Sequence, residues 1–326
     1  MNKSMPVEVS IIICTYNPDK KKLLSTVIAA ACQKKVDFEI ILSDDGSENN
    51  YFDSIRLYFK RIGFRNYSFI ENKKNIGTVK NLLGAVKHAK GEYIFFNSPG
   101  DILFDENAMS DFYRYAKNQK ADVVFGDYIP YYIKDNIICY SELNKPEYAS
   151  AYQGSFRNYK SAFFTIEGIM GASYFRSREF TVESLSCFEN ISRYTEDGPT
   201  TAYALANNLC IHYFSRKIVW YEYGSGISTN GDKKWERIIF DDIMRSYRAI
   251  HIANPHDRYI KAGMYYMEHY GDKYLALLFA AKYPIISIRR RIAKKNKKRV
   301  LLATKQEEDY LKALLLDSEE MIHGSN

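Results

Sequence analysis

Short apolar runs alternate with longer amphipathic stretches over the first 125 residues. The runs are rich in Ile, Val and Phe and predict buried parallel strands, which are covered on both faces. They lie at 9–13, 38–42, 67–70, 93–96 and 122–125. Apolar residues recur at helical spacing in the stretches at 21–33, 51–62, 77–90 and 107–118. This alternation predicts a Rossmann-like α/β fold with a mostly parallel sheet and helices on both faces.

Polar loops follow three of the predicted strands, after Ile13, Leu42 and Phe96. In a parallel sheet these loops open at one edge, where α/β proteins bind their ligands. The second loop reads Ser43-Asp44-Asp45-Gly46-Ser47 and is acidic. We therefore expect a ligand site at the carboxyl edge of the sheet.

The remainder of the chain divides into an irregular and a helical part. Residues 128–197 are rich in Tyr, Phe and Ser, and we expect them to fold over the sheet. From Trp235 onward the apolar spacing is helical, and Asn230-Gly231-Asp232 is a turn-prone triplet. The pattern predicts an α/β domain at 1–230 and a helical C-terminal extension at 231–326.

Cysteine usage and the apolar stretches indicate a cytoplasmic protein. The five cysteines form no Cys-x-x-Cys or Cys/His cluster, which argues against a disulfide framework and a structural zinc site. No apolar run of signal-peptide length occurs from Met1 to Val9. The longest apolar stretch, 274–288, is interrupted by Lys282 and Pro284 and is too short to span a bilayer.

The positive charge of the chain is concentrated in one segment. The net charge is +7, yet eight basic side chains lie between Ile288 and Arg299, so the remainder carries about −1. An apolar stretch followed by a polybasic run predicts peripheral contact with an anionic surface, at the inner face of the cell membrane. A packed helix with a solvated basic end is the alternative. Nucleic-acid binding is not expected, because no aromatic residue interleaves the cluster.

Taken together and in order, the motifs resemble the family 2 glycosyltransferases of GT-A fold over about residues 7–230. The matching pieces are Val9-Ser10-Ile11-Ile12-Ile13-Cys14-Thr15-Tyr16-Asn17, Ser43-Asp44-Asp45-Gly46-Ser47, Asn75-Ile76-Gly77 with Lys80-Asn81, Gly91-Glu92-Tyr93-Ile94-Phe95-Phe96, Thr195-Glu196-Asp197-Gly198, and Tyr221 with Gly226-Ile227-Ser228-Thr229. The resemblance implies inverting sugar transfer from a nucleoside diphosphate sugar, UDP-type, to a hydroxyl of a glycan or lipid-linked acceptor. Such reactions serve bacterial surface polysaccharide or glycoconjugate assembly. We expect a non-processive enzyme, because the long membrane spans and the Gln-x-x-Arg-Trp element of processive synthases are missing.

The resemblance assigns donor binding to the first two loops. Tyr16 would stack on the base and Asp45 would accept its imide N–H, with Thr15, Asn17 and Asp44 in the same loops. The alternative for Asp44 and Asp45 is formation of an Asx turn.

A second donor element is the predicted helix start at Asn75, Gly77, Lys80 and Asn81. The dipole and free N–H groups of a helix N-terminus favour anions, and Lys80 adds a positive charge for a diphosphate. Lys80 could equally lie on a solvated helix face, where most lysines are found.

The chain departs from the family at the position of the metal-binding acids. Family members carry Asp-x-Asp or Asp-Asp after the fourth strand, whereas Ser98 and Gly100 stand there in this chain and Asp101 alone remains. Dependence on a divalent cation, Mn²⁺ or Mg²⁺, is therefore doubtful, and Asp101 is either a metal ligand or a loop acid or helix cap.

The candidate general base is Asp197, with Glu196 as the second choice. An acceptor hydroxyl must lose its proton as it attacks, so a carboxylate must lie within hydrogen-bond reach. The alternative is that both acids cap a helix starting near Pro199. The rival hypothesis for the whole chain is a non-catalytic relative that binds a nucleotide sugar and acts as partner of another transferase. Its main support is the absence of acids at Ser98 and Gly100.

Overall fold

The structure, a computed structural model, describes residues 6–135, 137–143, 146, 160, 171–224, 226, 231–269, 273–285, 287–288, 292 and 303–316. Its strands are β1 (Val9–Thr15), β2 (Phe38–Asp44), β3 (Tyr67–Glu71), β4 (Tyr93–Asn97), β5 (Ile102–Leu103), β6 (Val123–Lys134), β7 (Ile137–Tyr140), β8 (Tyr174–Ser177) and β9 (Ile211–Glu222). Its helices are α1 (Lys20–Ala31), α2 (Phe52–Ile62), α3 (Thr78–His88), α4 (Ala108–Gln119), α5 (Arg178–Phe188), α6 (Asp197–Ala206), α7 (Lys233–Ala253), α8 (Arg258–Glu268), α9 (Lys273–Lys282) and α10 (Lys305–Leu316).

The strands form one sheet in the order β3-β2-β1-β4-β8-β6-β9-β5, with β7 paired to β6. Strands β1 to β4 are parallel, and Val9 lies level with both Phe38 and Tyr93. Because they start level, Thr15 and Asp44 meet at the far end of β1 and β2. Strand β8 runs antiparallel between β4 and β6, and β6 and β9 are again parallel. The predicted α/β fold is confirmed, and its antiparallel strands lie in the second half of the sheet.

Both faces of the sheet are covered, which explains the apolar runs. In β1, Ile11 and Ile13 belong to one core and Ile12 to the other, and all three are fully buried. The first core lies under α1, α2 and α4, and the second under α3, α5 and α6. Each β1 side chain is thus removed from water, whichever face it points to.

The residues after position 230 pack into the same two cores. Leu311, Leu314 and Leu315 of α10 join the first, and Ile250 of α7 and Ile260 of α8 join the second. The division at residue 230 remains a prediction, and elements on its two sides share apolar contacts.

The apolar stretch at 274–288 contains α9, and no helix in the described part of the chain is long and apolar enough to cross a bilayer. The eight basic side chains between Ile288 and Arg299 lie outside the described residues.

Candidate active site

Loops from distant parts of the sequence meet at the carboxyl edge of the parallel strands. Cys14 lies at the end of β1, and the pKa of its thiol depends on carboxylates from two of these loops. Burial raises the pKa of the thiol, and the nearby carboxylates of Asp45 and Glu196 raise it further. The end of β2 and the segment before α6 therefore both lie within electrostatic range of Cys14.

The loops after β1 and β2 are joined by hydrogen bonds from three of the predicted site residues. Thr15 Oγ1 donates to Asp44 Oδ1 at 2.8 Å. The Asn17 amide donates to Ser47 Oγ at 2.7 Å, and Asn17 Oδ1 accepts from the Glu48 amide at 3.0 Å. Between them the side chain of Tyr16 is 54% exposed, so its ring is accessible for stacking.

Asp44 and Asp45 differ in their partners. Asp44 Oδ2 accepts from the amides of Gly46 and Ser47 at 3.1 and 2.8 Å, which is an Asx turn. Asp45 Oδ1 accepts from the Ile76 amide at 2.8 Å, and its Oδ2 from the Gly77 amide at 2.9 Å. Because Gly77 directly precedes α3, the Asp45 carboxylate lies at the positive end of the helix dipole. Its role in recognising the base stays a prediction.

The four residues predicted at the start of α3 lie in different surroundings. Asn81 is buried, accepts from Ser43 Oγ at 2.6 Å and donates to the Ser43 carbonyl at 3.1 Å. Lys80 is exposed on the helix surface. Asn75 and Gly77 instead contact the segment before α6, so they alone of the four join α3 to that segment.

Arg193 makes this contact and was not predicted. Its Nη2 donates to Asn75 Oδ1 at 3.1 Å, and its carbonyl accepts from the Val79 amide at 3.1 Å. Gly77 has φ = 94°, and a Cβ there would lie 2.5 Å from Arg193 Cγ and 2.9 Å from the Arg193 carbonyl oxygen. Only glycine allows both this backbone conformation and this approach. The sequence holds no signal for Arg193, because 118 residues separate it from Asn75.

Glu196 is held in a buried ion pair. Its Oε2 accepts from Arg176 Nη1 at 2.6 Å, and the Arg176 side chain is 2% exposed. The guanidinium carbon lies 5.2 Å from the Phe96 ring and 4.7 Å from the Tyr174 ring. Burial raises the pKa of Glu196, Arg176 opposes that shift, and the Asp197 charge adds to it.

Asp197 is the first residue of α6, and its Oδ1 accepts from the Gly198 amide at 2.8 Å. Its carboxylate also reaches tyrosines from three other elements. Burial raises the pKa values of Tyr128, Tyr174 and Tyr247, and the Asp197 charge raises each of them further. Asp197 therefore both contacts the first turn of its helix and lies near hydroxyls of β6, β8 and α7.

Asp101 lies beneath the loop after β4 and is 7% exposed. Its Oδ1 accepts from the Glu222 amide at 3.0 Å. Burial raises its pKa to about 8, the Glu222 charge adds to this, and the bond from the Glu222 amide opposes it. Glu222, at the end of β9, is ion-paired with Lys22.

Glu222 also explains the glycine at position 100. Gly100 has φ = 99°, and a Cβ there would lie 2.2 Å from Glu222 Oε2. An acid at this position would adopt a strained positive φ and would displace the Glu222 carboxylate. Where family members carry an acid, this chain therefore has a glycine with the Glu222 carboxylate of β9 beside it.

The donor set around Asp101 does not fit a divalent cation. Hard cations are held largely by carboxylate oxygens, and Asp101 offers a single buried carboxyl, of raised pKa, whose Oδ1 already accepts the Glu222 amide. Across the residues that the structure describes, no group of three or more His, Cys, Asp or Glu side chains could hold a metal ion. Metal dependence stays a doubtful prediction.

We expect Asp101→Asn to alter the pH dependence of stability. Because the folded pKa of Asp101 is raised, its contribution to stability is fully present near pH 4 and is lost as pH rises through about 8. At pH 8.5 the variant should unfold several degrees above wild type, since each pKa unit corresponds to about 1.4 kcal/mol. The difference should shrink toward pH 5. The melting temperatures of variant and wild type are measured by calorimetry. A difference between them that stays the same at all pH values would show that Asp101 is ionised in the folded protein.

Asp45→Ala is expected to weaken binding of a free nucleoside diphosphate at least tenfold, measured by titration calorimetry. The change removes the proposed acceptor for the base. It also leaves the amides of Ile76 and Gly77 without their partner, which lowers the free energy of unfolding by about 1–3 kcal/mol for each amide. Asp53→Ala, on the surface of α2 with its side chain 95% exposed, is the matched control. Unchanged affinity in Asp45→Ala would limit Asp45 to binding the amides that precede α3.

The sheet, its strand-end loops and the acid pair at a helix N-terminus together define a Rossmann-like α/β protein with a candidate ligand site at the carboxyl edge of its sheet. Residues 10–179, more than half of the chain, match the family model for glycosyl transferase family 2. The chain belongs to this family. The match ends before Arg193, Glu196 and Asp197, so the roles of these residues rest on the geometry and the motif resemblance.

Curated proteins that the chain resembles are glycosyltransferases. The poly(ribitol-phosphate) β-N-acetylglucosaminyltransferase TarP of Staphylococcus aureus is 31% identical over 125 residues, which is 37% of this chain and 36% of TarP. The cholesterol galactosyltransferase of Borreliella burgdorferi is 29% identical over 170 residues, 52% of this chain and 45% of that protein. The matched stretches therefore span less than half of either relative.

Solved structures agree over almost the whole chain. The S. aureus TarS fragment 1-349 superposes with a TM-score of 0.57 at 16% identity, covering 97% of this chain and 90% of the fragment. The mannosyltransferase PcManGT of Pyrobaculum calidifontis, in complex with GDP-Man and Mn²⁺, gives 0.58 at 14% identity, with 98% and 88% covered. At such identities the likeness shows the fold, and the predicted GT-A fold is confirmed.

Proposed function

We propose that the chain is an inverting, non-processive glycosyltransferase. It would move a sugar from a nucleoside diphosphate sugar, UDP-type, to a hydroxyl of a glycan or lipid-linked acceptor in bacterial surface polysaccharide or glycoconjugate assembly. The observation that carries the proposal is the meeting of two carboxylate elements at one edge of the sheet. Asp45 binds the amides of Ile76 and Gly77, and Arg193, three residues before Glu196, binds Asn75 beside them. Support also comes from TarS, whose fragment 1-349 was solved with UDP-GlcNAc, and from TarP, a poly(ribitol-phosphate) β-N-acetylglucosaminyltransferase.

In the proposed reaction the acceptor oxygen attacks the anomeric carbon while the bond from that carbon to the diphosphate oxygen breaks. The leaving diphosphate takes the bonding electrons, and the attacking hydroxyl gives its proton to a carboxylate. We assign that carboxylate to Asp197. Glu196 is less suited to the role, because its carboxylate is bound to the buried Arg176 guanidinium.

The leaving diphosphate requires positive charge where the negative charge develops. Arg193, whose guanidinium donates to Asn75, and Lys80, on the surface of α3, are two cations near this end of the site. The amides of Ile76 and Gly77 are already bound to Asp45, so the side chains must supply more of the stabilisation than the helix N-terminus does.

A donor screen followed by turnover tests the proposal. Thermal shift against UDP-, GDP- and dTDP-sugars identifies the donor, because a bound ligand stabilises the fold in proportion to the logarithm of its concentration over Kd. Donor consumption is then measured with acceptor, with Mn²⁺ and with EDTA. Absence of binding to every donor would contradict the proposal.

The second candidate is a nucleotide-sugar-binding partner without activity, which Ser98, Gly100 and the raised pKa of Asp101 favour. It predicts a thermal shift by a donor with no turnover in any acceptor or metal condition. Transfer by the isolated chain would exclude it.

We further propose a cytoplasmic location with peripheral binding to the inner face of the membrane. The support is the sequence alone, since the basic cluster lies outside the described residues.

Deleting 288–326 should release the protein from anionic liposomes. Each basic side chain near the surface contributes about 1 kcal/mol, and raised salt should act in the same direction. The deletion also removes α10, whose leucines join the first core, so donor binding must be checked in parallel. Replacing the eight basic residues by glutamine leaves α10 in place and is the cleaner variant. Full-length protein that stays in the supernatant at low salt would contradict membrane binding.

A further inference from the structure

A buried carboxylate of the C-terminal extension binds the segment that carries the candidate base. Asp242, on α7, is fully buried. Its Oδ2 accepts from the amides of Tyr194 and Thr195 at 2.7 and 3.0 Å, and from Ser192 Oγ at 2.7 Å. The Arg193 amide donates to both oxygens, at 3.0 and 2.9 Å. One side chain thus binds three consecutive backbone amides of residues 192–195, which we name the base loop.

Asp242 acts on the base loop as an anion. Burial alone would raise its pKa, but the hydrogen bonds from the Tyr194 and Arg193 amides, Ser192 and the Thr195 amide outweigh burial and lower it. Arg245, one turn further along α7, pairs with the same carboxylate. A charged acceptor bonded to several donors is among the stronger contacts available to a loop.

The base loop continues directly into Glu196 and Asp197. On its other side, the Arg193 carbonyl and guanidinium bind Val79 and Asn75 of the donor end of the site. Because Arg193 keeps these two bonds to the donor end, loss of the Asp242 contacts would move Tyr194 to Asp197, and the candidate base with them, more than the donor-side cation. Helix α7 lies beyond both the family match and the predicted boundary at residue 230.

We propose that Asp242 is a positioning residue for sugar transfer, which fixes the base loop so that Asp197 is held at the reacting hydroxyl. This inference rests on the proposed function. Misplacing a reacting group by about 1 Å can cost on the order of a hundredfold in rate, so a loop that carries a base must be held rigidly. Three adjacent amides bound by one buried anion provide that rigidity from a helix outside the α/β region.

The test compares Asp242→Asn with Asp241→Asn, its exposed neighbour on the same helix. Asparagine keeps the shape of the side chain but puts an NH₂ group where one carboxylate oxygen accepts from Arg193 and Arg245. We expect kcat of Asp242→Asn to fall at least tenfold, with the donor KM and the Kd for UDP within about twofold of wild type. Hydrogen exchange of the base-loop amides should accelerate, while Asp241→Asn should behave as wild type.

Ser192→Ala serves where Asp242→Asn does not fold. It removes a single donor to the same carboxylate and should lower kcat in the same direction by a smaller factor. The inference is overturned if kcat is unchanged, or if UDP affinity falls as far as kcat does, which is the pattern of a general structural loss.

Failure of the proposed function is distinguishable, because wild-type protein would then transfer no sugar at all. Exchange of the base-loop amides in the presence and absence of UDP would still be measurable. Unchanged exchange in Asp242→Asn would then overturn the positioning role on its own.

Discussion

Asp197→Asn is expected to lower sugar transfer by a hundredfold or more while donor binding stays nearly unchanged. Asparagine keeps the size of the side chain and, through its Oδ1, the bond from the Gly198 amide that starts α6. It cannot accept the proton of the attacking hydroxyl, and loss of a general base typically costs about 10²–10⁴ in rate. Stability should change little, by about 0.3–1 kcal/mol for the charge lost from the first turn of the helix.

The measurement is kcat with the donor identified by the screen, together with the Kd for UDP. Glu196→Gln is the matched control, one residue earlier on the same loop. It should affect stability more than turnover, because the Glu196 carboxylate is engaged by Arg176. Near wild-type transfer by Asp197→Asn would contradict the assignment of Asp197 as the general base. A larger loss of kcat in Glu196→Gln than in Asp197→Asn would assign the base to Glu196 instead.

The parallel half of the fold could be predicted because each strand carries its own signal. In β1 every residue from Val9 to Ile13 is fully buried, so the strand appears as an apolar run interrupted only by Ser10, whatever its neighbours are. The helices between the strands show the spacing of a single buried face. Strand β8, by contrast, has four residues and lies antiparallel inside the sheet, within the segment where the sequence pattern is irregular.

The candidate site could be predicted only as far as the strand ends. The loops after β1 and β2 follow directly from the positions of Thr15 and Asp44, which the parallel register brings together. Side-chain partners do not follow in this way. Nothing in the sequence shows that Asp45 binds the amides preceding α3, or that Arg193 reaches Asn75 across 118 residues.

The contribution of the C-terminal extension to the candidate site could not be predicted from the sequence either. Asp242 lies on a helix whose apolar spacing predicts burial, but its carboxylate is one of several acids on α7, and Asp241 beside it is exposed. Which acid meets the base loop depends on how α7 packs on α6. That packing is a tertiary property, set by contacts between the two sides of residue 230.

Arg176→Met is expected to produce the largest loss of stability among these variants. It leaves the Glu196 carboxylate mostly buried without its cation, and breaking a buried ion pair from one side costs about 3–5 kcal/mol. The melting temperature should fall by roughly 10 °C. It also removes the contacts of the guanidinium with the rings of Phe96 and Tyr174.

The stability that Arg176→Met loses relative to wild type should increase as pH rises. Burial already raises the pKa of Glu196, and removing Arg176 deletes the charge that opposes the shift, so the pKa rises further in the variant. A raised folded pKa means that stability is present in acid and is lost as pH rises through that pKa, so the gap to wild type should be narrowest near pH 5 and widen toward pH 8. The double variant Arg176→Met with Glu196→Gln removes both charges and should recover part of the stability at pH 8. If the double variant is as unstable as the two single losses added together, the pair makes no coupled contribution, and Arg176 stabilises the fold through its ring contacts alone.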